Sequence, residues 1–124
     1  MMVVRSLVSV VDDDESVRES LPDLIREFGF LVRAFSSGEE FLASDSISKT
    51  ECLILDIAMP GMSGTDLQQE LKLRGWTIPI VFITAHGDET VRPRVLAAGA
   101  VECLLKPFSD VALRKAIDDA LQPG

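Results

Sequence analysis

Short, continuously apolar runs alternate along this chain with longer stretches in which apolar residues recur at helical spacing. Leu7 to Val11, Phe30 to Phe35, Cys52 to Asp56, Ile80 to Thr84 and Val101 to Leu105 read as strands. After the first, Val17, Leu21, Leu24, Ile25 and Phe28 fall on one face of a helix that Gly29 stops. A short helix opens at Ser36-Ser37, with Glu39 and Glu40 at capping-box distance. Another starts near Ser63 and closes at Gly75, and the last is capped by Ser109 and carries Val111, Leu113, Ala116, Ile117 and Leu121. Pro79 is tolerable because it stands at a strand entrance. Strands and helices alternating at this spacing predict right-handed crossovers and a parallel sheet covered on both faces, which is why the runs lack polar alternation. The expected fold is an α/β, doubly wound, three-layer sandwich forming a single domain over 1–124, with its core at about 7–121. Gln122-Pro123-Gly124 reads as a chain leaving its last helix.

The order of these runs gains chemical meaning at their carboxyl ends. Val10-Val11 leads into Asp12-Asp13-Asp14, Leu53-Ile54-Leu55 into Asp56, Val81-Phe82-Ile83 into Thr84, and Val101 to Leu105 into Lys106-Pro107. In an open parallel sheet those ends share one edge, where ligands bind. An acidic run alone is most often a solvated loop or a helix N-terminus favoured by the dipole. Here it follows a buried strand and should lie beside Asp56. Clustered carboxylates repel one another unless a cation neutralises them, and an all-oxygen set suits Mg²⁺ with room left for a phosphate oxygen. Thr84 adds a hydroxyl, and Lys106 a compact positive charge for phosphate oxygens. Pro60, Gly61 and Gly64 build the turn after Asp56; a turn alone would not account for an Asp at the strand end.

Composition narrows the partners. Twenty acidic residues against twelve basic ones give a formal charge of −8, which argues against direct nucleic-acid binding by this domain. No charged leader with an apolar core and no apolar run of about 18 residues or more is present, so a cytoplasmic protein without a membrane partner is expected. Cys52 and Cys103 begin runs that should not be neighbouring strands, so two reduced, small buried side chains are expected.

Together these positions strongly resemble the receiver domain of two-component response regulators, from about Leu7 to Leu121. The resemblance rests on Asp12-Asp13, on Asp56 in Asp-Ile-Ala-Met-Pro-Gly, on Thr84 and on Lys106-Pro107. Thr84-Ala85-His86-Gly87-Asp88 and Ala98-Gly99-Ala100 are similar to the FixJ-like class, usually joined to a helix-turn-helix output domain. It implies a flavodoxin-like (βα)5 fold with strand order 2-1-3-4-5. It also implies a signalling phosphoacceptor with intrinsic phosphotransfer and autodephosphorylation chemistry. Asp56 takes a phosphoryl group from a sensor histidine kinase. Mg²⁺, replaceable by Mn²⁺ or Ca²⁺, is held by Asp13, Asp56 and the Ala58 carbonyl, with Asp12 acting through water. Lys106 pairs with Asp56 or its phosphate, through a cis Lys106-Pro107 peptide that aims the side chain inward. Thr84 moves to bind the phosphoryl group, and the switch controls an output, expected to be transcription. A phosphorylation-dependent homodimer through helix 4, strand 5 and helix 5 is a further implied partner.

Four positions depart from the family pattern or vary within it. Cys103 stands where a switching Tyr or Phe is usual. Pro22 falls inside the first helix, where a bend is expected, and Pro93 falls in the fourth, which should start late enough to leave it in the first turn. His86 reads as a loop residue, or as one that tunes water access to a phosphoaspartate. The rival reading is a magnesium-dependent phosphohydrolase of the haloacid-dehalogenase type, but such enzymes resemble Asp-x-Asp, and Ala58 stands two positions after Asp56. A degenerate receiver is disfavoured because no acidic, Thr or Lys position is missing.

Overall fold

The apolar runs form a five-stranded parallel sheet ordered β2-β1-β3-β4-β5. The computed structural model describes residues 5–85 and 90–122. The strands are β1 (Leu7–Val11), β2 (Leu31–Phe35), β3 (Thr50–Asp56), β4 (Ile80–Thr84) and β5 (Glu102–Leu105). The helices are α1 (Glu15–Glu27), α2 (Gly38–Ala43), α3 (Gly64–Leu73), α4 (Val91–Ala97) and α5 (Asp110–Leu121), with a 3-10 turn at Asp45–Ser48. Cys52 and Cys103 lie on β3 and β5, separated by β4, and both are buried with no disulfide between them.

Successive strand residues point to opposite faces, and each face has its own core. Val11, Leu53, Leu55, Phe82 and Cys103 pack with Phe41, Leu67, Leu71 and Val95, so α2, α3 and α4 cover one side. Val8, Val10, Cys52, Ile54, Val81 and Ile83 pack with Leu21, Ile25, Leu113 and Ile117 of α1 and α5 on the other. Ser63 and Asp66 close a full capping box on α3, while Ser37 and Ser109 cap α2 and α5.

Three boundaries differ from the sequence expectation, each for a local reason. Phe30 is not in β2, because its N–H turns back to the Ile25 carbonyl while Gly29, at φ +100°, donates to Arg26, completing a Schellman end to α1. β3 begins at Thr50, whose hydroxyl lies 2.7 Å from Ser9 Oγ and donates to the Ser46 carbonyl at 2.7 Å, so a polar residue is buried at no hydrogen-bonding loss. Val101 precedes β5, though its N–H already reaches the Ile80 carbonyl at 2.8 Å.

Both prolines are accommodated. α1 runs from Glu15 to Glu27 as one helix with Pro22 inside and buried. α4 starts at Val91, so Pro93 occupies the third position, where the lost N–H has no intrahelical partner to give up. No helix among the described residues is long and apolar enough to cross a membrane.

Candidate functional site

Before any side chain acts, backbone bonds tie the carboxyl end of β1 to β2, and those of β3 and β5 to β4. Asp12 N–H donates to the Phe35 carbonyl, Ile57 N–H to Ile83 and Lys106 N–H to Thr84, at 3.1, 3.1 and 2.8 Å. Lys106-Pro107 is a cis peptide, as the resemblance implied. Gly64 sits so close behind Asp56 that a Cβ there would lie 2.3 Å from the Asp56 carbonyl oxygen, and its N–H donates to Ile57 at 2.9 Å. Only glycine lets α3 start against the strand end.

On this frame Asp12, Asp13 and Asp56 each bring a carboxylate oxygen to within 4.8 Å of the others. Asp12 is fully buried and Asp56 nearly so, whereas Asp13 is exposed. Asp12 is the best-anchored of the three. Its Oδ1 accepts the Asp14 N–H at 2.9 Å, its carbonyl accepts from Arg18 Nη1 at 3.0 Å, and Lys106 Nζ is 3.3 Å from its Oδ2. The ammonium thus pairs with Asp12, where the resemblance implied Asp56 or its phosphate. A fully buried carboxylate is the site of greatest need for a counter-charge.

Burial raises the Asp56 pKa to about 7, and the neighbouring Asp12 charge pushes the same way; Lys106 opposes them, while a hydrogen bond with Asp12 and the Asp13 charge add to the rise. Three acidic groups in so small a space favour a shared proton or a bound cation. All the donors are oxygen and two sit on the rigid ends of strands, so the cluster fits a hard divalent ion. Ala58 lies two residues past Asp56 in the exposed part of the loop.

Thr84, buried at the end of β4, turns its hydroxyl to the Ala85 carbonyl at a long 3.4 Å. The third residue of the acidic run has a separate role: Asp14 caps α1 by accepting the Ser16 N–H at 2.9 Å. His86 lies outside the described residues. Cys103 is buried in the cluster that holds Val95, with Val91 packed against it, so residues of α4 occupy the neighbourhood of the usual aromatic. Arg92 Nε donates to the Cys103 carbonyl at 3.3 Å, and Arg92 Nη2 lies 2.8 Å from Glu102. Arg18 and Gly64 are the contributors that motif reading missed. The Gly64 position was visible as a turn glycine, but its approach to Asp56 was not. Beside Lys106, Val17, Leu21, Leu24, Ile83 and Phe108 line a mainly apolar groove of ≈ 400 Å³.

A model of the response regulator receiver domain matches residues 8–118. The response regulator protein TodT of Pseudomonas putida is 44% identical over 117 residues, covering 94% of this chain and 52% of its own length. Among solved structures, the response regulator StyR superposes with a TM-score of 0.88 at 49% identity, covering 96% of this chain and 60% of that one. FixJ-N superposes at 0.86 with 36% identity, covering 96% and 95%. The chain spans about half the length of the curated relatives it matches.

Proposed function

The chain belongs to the family of response regulator receiver domains of two-component systems, and on that premise we propose that Asp56 is its phosphoacceptor. The observation that carries this is the convergence of Asp12, Asp13 and Asp56 within 4.8 Å beside the Lys106 ammonium. A carboxylate held at a strand end, next to a cation site and a positive side chain, has what in-line phosphoryl transfer requires. An Asp56 oxygen attacks the phosphorus of a phosphohistidine on a sensor kinase. The P–N bond breaks, the imidazole nitrogen keeps the electron pair and takes a proton, and an aspartyl acyl phosphate forms.

The attacking carboxylate must be ionised, and the Lys106 charge favours that form against burial and Asp12. Mg²⁺, when bound, would be held by Asp13, Asp56 and the Ala58 carbonyl, with Asp12 through water, and would neutralise charge on the phosphoryl oxygens. Lys106 is then free to leave Asp12 for the phosphoryl group. Thr84 gives up only a long bond to Ala85 when it turns to the same group. The apolar groove beside Lys106 offers a kinase helix a surface next to the reacting carboxylate. Leu105, 43% exposed, and Val111, 78% exposed, lie on β5 and α5 and suit a phosphorylation-dependent homodimer through α4, β5 and α5. The output is transcriptional, in line with the transcriptional regulatory proteins the chain resembles, and we infer a cytoplasmic setting.

Incubation with acetyl phosphate, with and without EDTA, followed by intact-mass analysis tests this. The parent should gain one phosphoryl group only in the presence of Mg²⁺, and Asp56→Asn none. Undiminished incorporation in Asp56→Asn would defeat the assignment. Turnover of small phosphate esters would favour a phosphohydrolase instead.

A further inference from the structure

The open edge of the sheet at β2 is built differently from the rest of the surface. Leu31 N–H donates to Ser6 and the Phe35 carbonyl accepts from Asp12. In a parallel pair this alternation turns the backbone groups of Leu31, Arg33 and Phe35 inward to β1 and leaves those of Val32 and Ala34 facing outward. Along this edge runs a groove of ≈ 860 Å³. Its walls mix apolar and charged side chains: Leu31 is 50% exposed on one face of the strand, and Ala34 is exposed on the other.

The groove is also ringed by positive charge. Arg5, Arg26, Arg33 and Lys49 line it, against Glu51 as its one carboxylate, in a chain whose net charge is −8. Arg26 and Lys49 have exposed surface partners, Asp23 at 3.1 Å and Asp45 at 3.9 Å; no ion pair among the described residues engages Arg5 or Arg33. Pairs of that exposed kind hold their partners weakly.

We propose that this edge docks an extended, acidic segment of a partner protein, which adds as a strand beside β2. Backbone bonds to Val32 and Ala34 would give affinity, and acidic side chains reaching Arg33 and Arg5 would give selectivity. A second copy is the wrong occupant, because two β2 edges paired about a two-fold axis bring Arg33 towards its own image, and like charges across paired strands destabilise. The proposal does not depend on the phosphoacceptor reading, since none of these residues belongs to the acidic cluster.

The test is an NMR titration of the ¹⁵N-labelled chain with the peptide acetyl-Asp-Val-Glu-Ile-Asp-Thr-Glu-amide and with its counterpart in which every acid is Lys. The acidic peptide should shift the Val32 and Ala34 amides, slow their hydrogen exchange and bind more weakly as salt rises. In the Arg5→Glu/Arg33→Glu double variant, with its urea midpoint checked to confirm folding, affinity should fall roughly tenfold or more. No shift at millimolar peptide would overturn the proposal, as would equal binding of the basic peptide. Stronger binding of a DNA oligonucleotide at the same amides would make this a nucleic-acid surface. Shifts that follow protein concentration without peptide would make it a self-pairing edge. Either result replaces the proposed partner.

Discussion

Asp56 should destabilise the metal-free protein at neutral pH, and replacing it with Asn should stabilise the fold. Its pKa is raised from 3.8 to about 7, by burial first and the Asp12 charge second. The folded state therefore holds this proton more tightly than the unfolded chain does. Between those two values the native form binds more protons, so stability is highest below about pH 4, falls as pH rises towards 7, and levels off above. At about 1.4 kcal/mol per unit, the full span amounts to at most about 4 kcal/mol. Against a total of roughly 5–15 kcal/mol for a domain of this kind, that is a large fraction. Asn keeps the shape and carries no charge, so its contribution does not depend on pH. Urea unfolding in EDTA, followed by circular dichroism at steps from about pH 4 to 8, should show Asp56→Asn nearest to the parent at the acid end and progressively more stable towards neutrality. The denaturant slope should stay unchanged, so that the midpoint alone carries the difference. Adding Mg²⁺ should recover stability in the parent by mass action and recover less in the variant, which has lost one ligand. Parallel pH curves for the two proteins, or a variant that is less stable at neutrality, would refute the reasoning.

Other substitutions probe the same frame. Gly64→Ala puts a methyl 2.3 Å from the Asp56 carbonyl oxygen, and should cost about 1–3 kcal/mol in urea unfolding as the strand end shifts. Lys106→Ala leaves the buried Asp12 carboxylate without its ammonium, so a loss of about 1–3 kcal/mol is expected. The same change should move the Asp56 pKa upward, because Lys106 lowers it, and carbon-detected NMR of the carboxyl will read this directly. Cys103→Phe overfills a site that is 5% exposed and should cost about 1–3 kcal/mol. It should still accept a phosphoryl group while changing the beryllofluoride-induced amide shifts between Val91 and Leu105; no shifts there in the parent would show that the domain does not switch through this face.

The features legible in the sequence were those that repeat or that end a run. Continuous apolarity in Leu53-Ile54-Leu55 and Val81-Phe82-Ile83 announces a strand covered on both faces, and the two separate cores confirm the reason. The polar residue closing each run could be placed at one edge because parallel strands share a direction. Choices made within hydrogen-bonding distance were less accessible. Asp12, Asp13 and Asp14 are chemically identical and consecutive, yet one is buried under a lysine, one faces solvent as a candidate ligand, and one caps α1. What separates them is geometry: the strand's pleat turns Asp12 inward, and the helix beginning at Glu15 takes Asp14 as its cap. The boundary errors have the same origin. Phe30 reads as strand by composition, but a backbone donor three residues past the end of a helix is claimed by the carbonyl behind it.

The Lys106 pairing shows how that local choice bears on function. Asp12 is held by its own N–H, by its carbonyl and by both carboxylate oxygens. Two of these contacts come from side chains, Arg18 on the carbonyl and Lys106 on the carboxylate, and only that of Lys106, 30% exposed, touches the charged group itself. Among the described residues no ion pair engages Asp56, which bears the pKa rise. The group that is rigid is therefore the one next to the proposed acceptor, Asp56, whose carboxylate carries the electrostatic strain. A divalent cation or a phosphoryl group entering the cluster changes the balance at once: the cation relieves the repulsion among the carboxylates, and the phosphoryl oxygens give Lys106 a stronger partner than Asp12. On the proposed phosphoacceptor reading, the switch begins with one ammonium changing partners while backbone bonds hold the strand ends in place.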